Sequence, residues 1–164
     1  MLPVRRGRGQ GASARDGGAD TPDTGVVVLS VRVAARTTGA LLAGFGAFQA
    51  CLAGGAPWGR FAYGGQHDGR LPDSFRRISA VAAPVYGVLA VVVASEAGSP
   101  RRRRAVASGV AIFMAVGTAL NLASRSPAER MLWTPLCALT AVLAGAARPP
   151  AQSVRATSVT TGGR

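Results

Sequence analysis

Four stretches of 17 to 21 residues in this chain carry no charge, and arginine-bearing breaks separate them. Wound as an α-helix at about 1.5 Å per residue, such a stretch rises close to the roughly 30 Å of a bilayer's hydrocarbon core. A helix also satisfies its own backbone polar groups, as lipid demands. The pattern predicts an all-α fold: a four-helix transmembrane bundle with disordered N- and C-terminal tails. The membrane domain is expected over 25–148, with spans near 33–54, 78–95, 105–124 and 131–147.

Composition sharpens this reading. Hydrophobic residues make up 48% of the chain, yet the formal net charge is +12, and every basic residue is arginine. The arginines sit in clumps at the ends of the uncharged stretches, where lipid headgroups would meet them. A nucleic-acid-binding face would interleave them with polar and aromatic residues. No nucleic-acid partner is therefore expected.

The boundaries follow from local chemistry. Residues 1–24 and 149–164 are rich in Gly, Ser, Thr and Arg and predict disordered tails. Arg5–Arg6 is not followed by the apolar region of an export signal, so no cleaved leader is expected. The first helix should begin near Val26 and carry Arg32 and Arg36 at headgroup level. The segment from Gly55 to Pro72 is dense in Gly and Pro and breaks the helix, and its Trp58, Phe61 and Tyr63 suit a membrane–water boundary. Pro84 lies inside the second span as a tolerated kink. Ser126-Pro127-Ala128-Glu129 reads as a capping box opening the fourth span. There Ser126 would accept the Glu129 amide hydrogen, and the Glu129 carboxylate would reach back to the Ser126 amide.

Charge also sets an orientation. With four passes, both tails and the Arg101–Arg104 loop share one side, which holds thirteen arginines against six on the other. Counting only the flanks nearest each span leaves eight against six. The positive-inside rule then places both termini in the cytoplasm and the protein in the cell (inner) membrane. Arg101, Arg102, Arg103 and Arg104 would also attract anionic headgroups.

Polar groups gather at the expected outer end. Gln49 and Asn121 each lie about one turn inside a span, Glu129 and Arg130 open the fourth, and Trp58, Tyr63 and His67 hang from the first outer loop. Intramembrane polar groups mark a small-molecule or ion site when they are not simply bonded between helices. Cys51 and Cys137 both fall near the outer ends of their spans and form a candidate thiol pair. Two cysteines and one histidine supply no metal-binding motif, and no cofactor is expected. Small residues at four-residue spacing, Gly46, Ala50 and Gly54, with Ala141 and Gly145 in span four, offer surfaces for close helix approach.

Several motifs occur together: Ala56-Pro-Trp-Gly59, Tyr63-Gly-Gly65, Leu71-Pro72, Arg77-x-x-Ala80, and Asn121-x-x-Ser124-x-Ser126-x-x-Glu129-Arg130 followed by Trp133-Thr-Pro135. In these the chain resembles a widespread group of small bacterial membrane proteins with four predicted helices. The resemblance runs from about Leu41 to Ala147. It implies the topology and no activity, ligand or cofactor.

The function class that follows is a non-enzymatic membrane protein: a structural or accessory subunit, or a small carrier. No nucleophile–base pair is evident. A carrier of this size is expected to form a homo-oligomer or join a larger complex. The alternative is a thiol-redox or quinone-linked membrane protein using Cys51 and Cys137.

Overall fold

A computed structural model describes residues 24–150, and among them are four α-helices, two single 3-10 turns and no strand. The helices are α1 (Thr24–Gly54), α2 (Asp73–Ala94), α3 (Pro100–Leu122) and α4 (Pro127–Ala146). The tails expected to be disordered lie outside the described residues, apart from positions 24, 149 and 150.

Three of the helices, α1, α2 and α3, are long and apolar enough to cross a membrane. The fourth expected span, α4, is 20 residues long but is not apolar enough to be counted with them. Its first turn holds Glu129 and Arg130, and Pro135 and two threonines dilute the rest. At the other extreme, the 31 residues of α1 rise about 46 Å, well beyond a hydrocarbon core. Arg32 and Arg36 are exposed near its start. Along α2 and α3 only 17% of the apolar window is buried, so valines and leucines such as Val81, Val88 and Leu120 face outward. That is the reverse of a water-soluble bundle, which buries such residues.

Close backbone contact joins α1 to α2. A Cβ built on Gly39 would lie 2.7 Å from Ala94 Cβ and 2.9 Å from the Ala90 carbonyl. On Gly46 it would lie 3.2 Å from the Ala83 carbonyl. The seam thus repeats every seven residues, not every four. Of the expected stripe only Gly46 serves it: Gly54 meets nothing within 4 Å, and Ala50 is exposed. Gly39→Val should therefore destabilise the chain in detergent by about 1–3 kcal/mol, because packed helices must part. Gly44→Ala, at a position open to 4 Å, should leave the melting temperature unchanged or slightly raised.

The two ends of the bundle differ. At one end Ala35, Glu96, Arg103 and Ala147 surround a small cleft. Arg103 pairs with Glu96, and Arg104 donates to the Pro149 carbonyl, so two of the four consecutive arginines are engaged within the chain. Arg101 and Arg102 remain exposed. Ser99 caps α3 by accepting from the Arg102 amide at 3.3 Å, with Pro100 in the first turn. At the other end the 55–72 segment folds over the helices. Since α4 touches that segment at Glu129 and its C-cap residue, Ala147, lines the small cleft, it runs the full length of the bundle.

Candidate functional site

The 55–72 segment is held down by specific bonds. Arg76 reaches the Ala53 carbonyl through both Nε (3.1 Å) and Nη2 (3.0 Å), and so caps the carboxyl end of α1 with a cation. Tyr63 shares a 2.8 Å hydrogen bond with Ser79, which is fully buried in α2. These two α2 residues are three apart, so they lie on one helix face. The position singled out in the sequence, Arg77, is exposed instead.

Three further bonds tie the segment to the start of α4. Ser126 Oγ donates to the Arg60 carbonyl (3.1 Å), Trp133 Nε1 donates to the Phe61 carbonyl (2.5 Å), and the Gly64 amide donates to Glu129 Oε2 (3.0 Å). The last bond depends on backbone shape. Tyr63, Gly64 and Gly65 all have positive φ, at 53°, 81° and 66°. Two of the three are glycine, which adopts this conformation without steric cost.

The capping box forms only by half. The Glu129 amide donates to Ser126 Oγ at 3.2 Å, as expected. The Glu129 carboxylate does not reach back to the Ser126 amide, because Ser124 Oγ accepts from that amide at 3.2 Å and donates to Glu129 Oε2 at 2.5 Å. With the hydroxyl standing between them, the carboxylate is free to face the segment above.

Beneath that lid lies a cavity of about 230 Å³. All four helices contribute to its wall, and so does the lid, through Phe61, Ala62 and Tyr63. Of the residues expected at the outer end, it brings together Gln49, Tyr63, Asn121 and Glu129, with Cys137 beside them. Gln49 Oε1 is buried there and accepts no hydrogen bond. Asn121 Nδ2 donates to the Gly117 carbonyl at 2.8 Å and lies 3.6 Å from Cys137 Sγ. The remaining candidates lie elsewhere. Trp58 is exposed and stacks on Phe48 at 5.9 Å, His67 rests against Phe75 at 5.6 Å, and Arg130 reaches the Ser124 carbonyl from an exposed position. Cys51 and Cys137 are both free thiols: Cys51 is exposed on α1, while Cys137 is buried in the cavity wall.

Sequence reading missed the aromatic wall. Seven of the nine Phe, Trp and Tyr residues line the cavity. Trp133 sits at its centre, with its ring 4.5 Å from Phe48 and 5.3 Å from Phe45. Tyr86 bridges the helix pairs, stacked on Phe45 at 5.5 Å and 6.0 Å from Phe113. The signal was present: rings in spans one, two, three and four, in a chain where aromatics are only 5% of residues.

No family model, curated protein or solved structure matches the chain. Its own geometry therefore carries the functional reading.

Proposed function

We propose that the chain is a non-enzymatic integral membrane protein that crosses the bilayer four times and binds a small solute in its capped cavity, as a carrier or as the binding subunit of a larger complex. The observation that carries this reading is the cavity itself: four helices and a bonded lid enclose polar side chains near one end of an otherwise outward-apolar bundle. Pockets of this kind, mostly apolar with a few convergent polar groups, are ligand sites by default.

A fourth pass is supported by the outward face of α4, where Met131, Leu139 and Val142 are exposed. Glu129 and Arg130 then stand at headgroup level, where charge is tolerated. Arginine asymmetry favours cytoplasmic termini in a bacterial cell membrane, with exposed Arg101 and Arg102 facing acidic headgroups. All the residues that line the cavity belong to one copy of the chain. The separate surroundings of Cys51 and Cys137 lend no support to a thiol-pair mechanism.

Alkaline carbonate tests the membrane assignment. Washed membranes should keep the chain until detergent is added. Release by carbonate alone contradicts the reading.

A further inference from the structure

We infer that the cavity is a site for a small monovalent organic cation, an amine or quaternary ammonium, held by Glu129 among aromatic rings. This deepens the proposed binding function and rests on it.

The first ground is an unbalanced charge. Glu129 is only 9% exposed, and no cationic side chain pairs with it. The ion pairs among the described residues are Asp73–Arg76 and Glu96–Arg103. The nearby arginines are occupied otherwise: Arg60 lies over the Phe61 ring at 4.6 Å, and Arg130 Nη1 goes to the Ser124 carbonyl. A buried carboxylate without a counter-charge is costly, and a cationic ligand removes that cost.

The second ground is the direction of the free valence. Both donors to the carboxylate, the Gly64 amide and the Ser124 hydroxyl, are neutral, and both act on Oε2. Oε1 accepts no hydrogen bond, and the residue lines the cavity. Gln49 adds a second unpaired oxygen acceptor on the same wall. The Asn121 amide nitrogen and the Tyr63 hydroxyl are already engaged. A ligand must therefore bring positive charge or donors of its own.

The third ground is the wall. Aromatic faces attract cations through the ring quadrupole, and rings around a carboxylate select alkylated ammonium groups. A hard metal ion instead needs several oxygen ligands, and among the described residues no group of three His, Cys, Asp or Glu side chains exists to supply them. The volume of about 230 Å³ accommodates a small amine or quaternary ammonium group.

The test uses the full chain carrying Trp58→Phe in detergent micelles, with choline chloride as the probe and the fluorescence of the remaining Trp133 as the signal. Sodium chloride at equal ionic strength and the uncharged alcohol in which carbon replaces the choline nitrogen serve as comparisons. Choline should give a saturable change, and the uncharged isostere should bind at least about tenfold more weakly. Glu129→Gln should lose about tenfold or more in choline affinity. Tyr86→Leu, which disturbs no lid bond, should weaken it several-fold even if Glu129→Gln does not fold. Equal binding of the uncharged isostere, unchanged affinity in folded Glu129→Gln, or no saturable choline signal beyond that of sodium overturns the inference. None of these results touches the membrane assignment, which carbonate extraction tests separately.

Discussion

Gly65→Val is expected to detach the lid from α4. A Cβ at this position would lie 2.4 Å from Ser126 Oγ and 2.5 Å from Ser126 Cβ, and 3.0 Å from the Arg60 carbonyl that Ser126 holds. The backbone there has φ of +66°, which β-branched residues avoid. Strain and overlap together should cost roughly 2–5 kcal/mol. Relief requires residues 60–65 to move off Ser126 and Glu129. Amide exchange should show lost protection across 59–66 while the helix interiors stay protected. Gly64→Ala separates the two causes, because its Cβ meets only Gln66 Nε2, at 3.9 Å. It should suffer the backbone cost of about 1–2 kcal/mol and keep the lid bonded. Equal loss of protection in both variants would mean that the contact with Ser126 is unimportant.

Trp133→Ala is the second large effect. Its indole packs against Phe45 and Phe48 and donates to the Phe61 carbonyl, so truncation removes core contacts and a lid bond at once. Large aromatic truncations cost about 3–5 kcal/mol, and this half-buried site should fall at the lower end. Trp133→Phe keeps a six-membered ring and loses the hydrogen bond and part of the packing, a loss of about 1–2 kcal/mol. Trp58→Ala should cost less still, since that ring is 41% exposed and stacks on one neighbour. Thermal unfolding in one detergent, followed by near-ultraviolet circular dichroism, ranks the three variants. Equal melting of Trp58→Ala and Trp133→Ala would contradict the packing described.

These side chains also show how far sequence reading reaches. Helix positions were legible, because uncharged length and helix stops are local properties: Pro100, Pro127 and the Gly55–Pro72 break lie where helices begin and end. The gathering of Gln49, Asn121 and Glu129 was partly legible from depth along each span. Depth does not give rotation about the helix axis, so Trp58, His67 and Arg130 were grouped with them although they lie outside the cavity. The same limit explains Cys51 and Cys137, similar in depth yet different in facing. The capping box failed at Glu129 because Ser124, two residues before the cap, competes for the same amide. The Gly39–Gly46 seam was missed because a four-residue stripe drew attention from a seven-residue one. The weak hydropathy of α4 follows from its composition, since Glu129 and Arg130 fall in its first turn and Pro135, Thr134 and Thr140 further along.

The four-pass arrangement is most directly tested by labelling single cysteines at positions 66, 97, 125 and 150, in a chain carrying Cys51→Ala and Cys137→Ala. In intact cells an impermeant maleimide should reach positions 66 and 125 and leave 97 and 150 unlabelled until the membrane is broken. Labelling of 150 together with 125 would mean that α4 does not cross. Labelling of 66 together with 97 would mean that α2 does not cross, and the four-pass arrangement would fail.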